Sequence, residues 1–229
     1  MTTRSDSITP YVATSGRLAG RIYDLIKERL LDGAFPGGEK LSVANLREEF
    51  GVSKQPIMEA LRLLSADGLV EIYPQIGCVV TKYSPDEVSD FFRMFAAFEA
   101  SVAQAAASRR SDSQLDDLRS LSRKMELLNE ERDASVISKE YRLQNRKFHE
   151  AIHHMASSRI MADLSRRMWD LSDFLINTAG SYRAFGEVII ERNEDHAGII
   201  EALELGEPEL ARERMEQHIL GSPGIVSRD

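Results

Sequence analysis

At 229 residues, with 42% hydrophobic and 29% charged content, the chain can bury one large core or two modest ones and is too apolar to stay disordered. The net charge of −8 argues against a nucleic-acid binder only until the chain is split: residues 1–83 hold ten basic and ten acidic side chains, and residues 84–229 hold nineteen and twenty-seven. A lone cysteine, Cys78, excludes an internal disulfide. No apolar run approaches the roughly 18 residues of a membrane span, and the start MTTRSDSITP lacks a signal-peptide pattern, so a cytoplasmic protein without a membrane partner is expected.

Residues 1–14 are polar without periodicity and read as a flexible arm. From Leu18 the apolar positions 18, 22, 25, 26 and 29/30 follow helical spacing up to Asp32-Gly33, and Phe35-Pro36-Gly37-Gly38-Glu39 is turn chemistry. Leu41 to Phe50 reads as a second helix and Gln55 to Asp67 as a third. Between them, Gly51 takes the left-handed conformation that closes one helix, Ser53 caps the next with its hydroxyl, and Pro56 falls in its first turn. After Gly68, Val70–Tyr73 and Cys78–Thr81 read as strands joined through Pro74-Gln75-Ile76-Gly77. Three helices and a hairpin form a winged helix-turn-helix, expected over residues 15–82.

Ser84-Pro85-Asp86-Glu87 is a helix start, with an N-cap, a proline at N1 and two acids in the first turn. From there to about residue 221 the pattern is helical, broken near 111–113, 131–133, 157–158, 179–180 and 206–208, which predicts an all-α bundle of six or seven helices over 84–221 and a tail over 222–229. The fold class is therefore mainly α.

On the third helix Ile57, Ala60, Leu61 and Leu64 form an inward face, while Lys54, Gln55, Met58, Glu59 and Arg62 face away. Residues at the start of a recognition helix meet base edges: lysine pairs with guanine, glutamine with adenine, and methionine touches a thymine methyl, so Lys54, Gln55 and Met58 are the expected readers. Arg47 and Arg62 suit phosphates, and Gly77 lets the wing approach the DNA closely. Ser53, Pro56 and Gln75 complete the expected DNA-binding set.

All five histidines lie in the second part: His149, His153, His154, His196 and His218. His149, His196 and His218 fall on apolar faces of three different helices, and Asn145 stands one turn before His149. Together these four have the donor types for a divalent metal in the bundle core. Taken singly, each histidine is more often a hydrogen-bonded core residue, and the pair His149 and His153, at i and i+4, is a competing arrangement; spacing alone does not choose.

The segments Gly37–Ser42, Phe50–Leu61, Asp67–Val70 and Pro74–Gly77 resemble, in order, the DNA-binding domain of the GntR family of bacterial transcription regulators. The family commonly has arginines where this chain has Lys54 and Met58, which implies an operator of its own. Residues 86–220 resemble the FCD domain of the FadR subfamily through Phe148-His149, Asp195-His196 with Ile199–Ala202, and Met215–His218. That resemblance implies a metal of the zinc, nickel or manganese class on His149, His196 and His218, with Asn145 standing where the family has an aspartate. It also implies a small carboxylate effector, for which Arg93 is the first candidate, ahead of Arg142, Arg146 and Arg192. A homodimer on an inverted-repeat operator and repression are expected with it. The readings from other classes are a metal-dependent enzyme and a helical scaffold, each carrying a helix-turn-helix without a regulatory role.

Overall fold

The computed structural model describes residues 9–131, 133–178 and 185–222. The chain forms two compact units that divide between Lys82 and Tyr83.

The first unit contains α1 (Thr9–Leu31), β1 (Lys40–Leu41), α2 (Val43–Phe50), α3 (Lys54–Ala66), β2 (Val70–Tyr73) and β3 (Gly77–Val80). The helix α1 begins at Thr9 with Pro10 in its first turn, where a missing N–H is harmless, so residues 9–14 of the expected arm are helical; residues 1–8 lie outside the described residues. Its apolar face packs on α3, burying Ile22, Ile26 and Leu30 with Ile57, Ala60, Leu61 and Leu64. Each of the larger side chains contributes on the order of 2 kcal/mol of transfer free energy. Tyr23 donates to Asp67 at 2.5 Å and pins α1 to the end of α3.

The turn between α2 and α3 forms as its residues dictate: Gly51 has φ of 62°, and its N–H reaches back to the Arg47 and Glu48 carbonyls. Ser53 occupies the N-cap position, but its hydroxyl makes no capping bond, which corrects the expectation; the capping serine is Ser42, which accepts from the Asn45 N–H at the start of α2. The wing gains a strand that the sequence did not reveal. The two-residue β1 pairs antiparallel with β3, giving the order β1-β3-β2. Two residues are too short for alternation to register.

Cys78 is buried in this sheet, and burial pushes its thiol up to about 11. Because the thiolate is the reactive form, Cys78 is expected to resist a disulfide reagent at pH 8 in the folded chain and to react fully in denaturant. Rapid labelling of the native protein would contradict this burial.

The second unit contains α4 (Pro85–Arg109), α5 (Asp112–Glu126), a 3-10 turn at Leu127–Glu130, α6 (Ala134–Ala156), α7 (Arg159–Thr178), α8 (Phe185–Leu205) and α9 (Pro208–Leu220). Ser84 and Glu87 form a reciprocal capping box at the start of α4, as do Ser111 and Gln114 at α5. The long α4 is the spine. Its alanine-rich face, Ala96, Ala100, Ala103 and Ala107, is buried, and it packs against α6, α7, α8 and α9. The expected break at 157–158 falls between helices, and those at 111–113 and 206–208 run into the starts of α5 and α9; the break at 179–180, Arg132 and the tail residues 223–229 lie outside the described residues.

Candidate DNA-reading surface and candidate metal centre

In the first unit the start of α3 is exposed at Ser53, Lys54 and Gln55, with Arg47 and Arg62 also exposed and Met58 half-buried. This is the polar, projecting helix end that base-edge recognition needs. Pro56 is buried instead, so it shapes the helix start and is not available to DNA, which corrects its assignment. At the wing tip Gln75 is exposed with φ of 71°, and Gly77 has φ of 106°. The positive φ of Gly77 is what calls for glycine, since a Cβ there would meet only Lys40 Cε at 3.4 Å, an ordinary contact, and the exposed Lys40 adds a cation beside the wing that sequence reading missed.

In the second unit α6, α8 and α9 bring His149, His196 and His218 together. Each is buried, and one nitrogen from each lies within 4.8 Å of the other two. The ring centroids are 5.3 Å apart for His149 and His218, 4.5 Å for His196 and His218, and 5.7 Å for His149 and His196. Asn145, one turn before His149 on the same face of α6, holds a buried Oδ1 without a hydrogen-bond partner. Both nitrogens of His149 and both of His196 are in the same condition. A buried polar atom without a partner costs about 1–3 kcal/mol, and a cation would take the Asn145 Oδ1 and one nitrogen from each of His149 and His196. Neutral imidazoles and an amide oxygen are suitable ligands for a divalent transition metal. The cluster does not pair His149 with His153.

Burial lowers the His149 and His196 pKa values well below the ordinary imidazole range; His218 and, for each, a nearby arginine act in the same direction. His218 is lowered by burial too, although its bond to Asp195 opposes the shift. These groups are neutral at pH 7, the form that ligates. Without metal, a depressed folded pKa makes the unfolded chain the better proton acceptor below about 6.5. Stability is therefore complete above that pH and is lost as pH falls toward the folded values, with a slope approaching about 1.4 kcal/mol per pH unit for each histidine. Urea midpoints of the chelator-treated protein between pH 8 and pH 5.5 would reveal this fall, and a flat profile would exclude it.

Two acids stand beside the cluster. Asp195 Oδ2 lies 3.2 Å from His218 Nδ1. Glu99, which sequence reading missed, is fully buried on α4. Its carboxylate lies 2.9 and 3.2 Å from His153 Nε2 and accepts from Ser165 Oγ at 2.6 Å. Ser165 Oγ is itself 3.0 Å from His153 Nε2. Serine, histidine and acid are the residue types of a nucleophilic triad, but acid and hydroxyl here meet the same ring nitrogen, so the imidazole has no relay between them. The only hint of Glu99 in the sequence is a charge within the buried alanine-rich run of α4.

The expected effector arginines separate. Arg93 is exposed at 62% and pairs with Asp90, so it does not face the bundle interior, contrary to the expectation. Arg192 is buried but donates to the carbonyls of His218 and Gly221, which makes it a brace between α8 and the end of α9 and not a free cation. Arg146 is bound to Asp170 at 2.9 Å and Asp173 at 2.6 Å. Arg142, partly buried, also faces Asp173, at 3.9 Å. A cavity of about 240 Å³ opens between α6 and α7, lined in part by Arg146, His153, His154, Arg166 and Trp169. The Trp169 ring stands 4.2 Å from that of His149, so one indole separates this cavity from the histidine cluster.

Comparison with known proteins agrees with both units. The family profile for bacterial regulatory proteins of the gntR family matches residues 18–80, and the FCD domain profile matches residues 90–221. The HTH-type transcriptional regulator YdhC of Bacillus subtilis is 27% identical over 217 residues, covering 93% of this chain and 89% of that protein. The HTH-type transcriptional repressor GlaR of Escherichia coli is 27% identical over 212 residues, covering 90% and 94%. Among solved structures, McbR/YncC of E. coli superposes with a TM-score of 0.74 at 22% identity, covering 88% of this chain and 93% of that one, a likeness of fold.

Proposed function

The chain belongs to the GntR family of bacterial transcription regulators and carries an FCD domain, and on that premise we propose that it is a repressor whose hold on its operator responds to a small carboxylate. The observation that carries the reading is the exposed, polar first turn of α3 beside a wing, which gives Lys54 and Gln55 access to base edges. Met58 adds an apolar contact. Arg47, Arg62, Ser53 and the wing residues Gln75 and Gly77 lie along the phosphate backbone. A homodimer presents two such surfaces to an inverted repeat.

In the second unit Asn145, His149, His196 and His218 would hold a divalent metal of the zinc, nickel or manganese class; the unpartnered atoms of Asn145, His149 and His196 support this. Such a metal, when bound, supplies a positive centre that attracts a carboxylate. Arg142, on the same helix as His149, is the arginine assigned a second contact to the acid, which would compete with its pairing to Asp173, and Trp169 packs against His149 and limits water. An effector shifts operator affinity only if it binds two arrangements of the chain unequally. An enzyme is disfavoured because Glu99, His153 and Ser165 lack relay geometry, and the sequence has no phosphate-binding glycine loop or nucleophile elbow.

The test is selection of duplex DNA from a random pool by the full chain, then titration of the winning sequence with and without a panel of sugar acids and dicarboxylates. An enriched inverted repeat whose affinity changes with one acid is expected. Failure to enrich any sequence at low salt would sink the DNA reading, and an operator insensitive to the whole panel would sink the effector reading.

A further inference from the structure

We propose that Glu99 is the positioning residue of the metal centre: its buried carboxylate holds His149 with the hydrogen on Nδ1 and supplies the negative charge that Asn145 lacks. This rests on the reading of the histidine cluster as a metal site.

An isolated carboxylate taken fully out of water is costly, so Glu99, with no exposed surface, must be held by donors. His153 and Ser165 provide two. A carboxylate has about four acceptor positions, so Glu99 keeps capacity for a third donor. Its Oε2 lies 4.0 Å from His149 Nδ1, an atom with no hydrogen-bond partner. A small movement of either side chain closes that gap to a hydrogen bond. With the hydrogen on Nδ1, the Nε2 lone pair of His149 is free to ligate.

His218 repeats the arrangement, since Asp195 Oδ2 faces its Nδ1 at 3.2 Å. Two of the three rings thus have an acid at Nδ1, the outer partner that metal-binding imidazoles characteristically use to fix tautomer and raise basicity. The two acids differ in burial: Asp195 is half-buried and Glu99 fully buried, so the charge of Glu99 is less screened. That difference matters here because three neutral imidazoles and an amide bring no charge against a divalent cation. His153 and Ser165 anchor Glu99, which gives the buried His153 a purpose without making it a ligand.

The test is calorimetric titration of Zn2+ into the metal-stripped full chain and its Glu99→Gln variant, with chelator-treated thermal melts as a control for folding. The expected result is an affinity lower by about 10–100-fold in E99Q, with the metal-free melt little changed. Equal affinities would overturn the proposal while leaving the metal centre intact. Absence of zinc binding to the parent overturns both, and is recognised because His149→Ala then behaves like the parent. Should E99Q not fold, long-range 1H–15N spectra of the zinc-loaded parent decide: a hydrogen on His149 Nδ1 supports the proposal, and a hydrogen on Nε2 overturns it.

Discussion

His149→Ala should lower the affinity of the chain for Zn2+ by roughly 100-fold or more, about 2.7 kcal/mol, and remove the metal-dependent rise in Tm. The reasoning starts from the buried atoms. Both nitrogens of His149 are enclosed without a partner, so in the metal-free chain this ring costs stability that ligation recovers. A ligand at 100 times its Kd stabilises the folded state by about 2.7 kcal/mol, which for a chain of this size raises Tm by roughly 5–10 °C. Losing one of three imidazoles removes most of that gain. The control is the melt in chelator, where the variant exchanges an unpartnered imidazole for a cavity and two opposing effects partly cancel. Thermal scans of both proteins with chelator and with excess zinc read the difference directly. A variant that keeps the full zinc-induced shift would show that the metal sits elsewhere.

The second large effect is expected at the start of α3. Gln55→Ala should weaken binding to the selected operator by about 1–3 kcal/mol, or 5- to 150-fold, and relax selectivity at one base pair. Lys54→Ala should act in the same range at a neighbouring position, because both side chains project from the exposed first turn. Arg62→Ala should behave differently. A phosphate contact weakens binding on every sequence alike and lowers the salt slope by about one. Fluorescence anisotropy on the selected and a scrambled duplex at several salt concentrations separates the two classes. If Gln55→Ala loses affinity equally on both duplexes, it is not a base reader.

The winged helix-turn-helix was legible because its signals are local. Gly51 at φ of 62° and the inward face of Ile57, Leu61 and Leu64 are properties of residues a few positions apart. The capping box at Ser84 and Glu87 is of the same kind. Where two local solutions compete, the sequence misleads: Ser42 and Ser53 both precede helices, and only Ser42 makes the capping bond. The strand β1 escaped notice because its two residues owe their conformation to pairing with β3, near forty positions further on.

The metal candidates were legible as residue types on apolar helical faces, while their grouping was not. Periodicity placed His149, His153, His196 and His218 on helices, and left His149 free to pair with His153. Packing of α4 against α6 and α7 decided the matter by sending Glu99 and Ser165 to His153, and so dividing the two histidines between separate tasks. The arginines illustrate the same limit. Arg93 lies in an aromatic run yet projects outward, because a helix turns about 100° per residue and its neighbours Phe92 and Phe95 take the inward face. By itself, then, the sequence determined which helices form and which faces are apolar, since these depend on backbone conformation and on side chains within a turn or two, while the start of α1 at Thr9 lay inside the stretch expected to be an arm. Only the tertiary structure decided which buried polar groups meet, because Glu99 and His149 are fifty residues apart and approach to 4.0 Å solely through the packing of one helix on another.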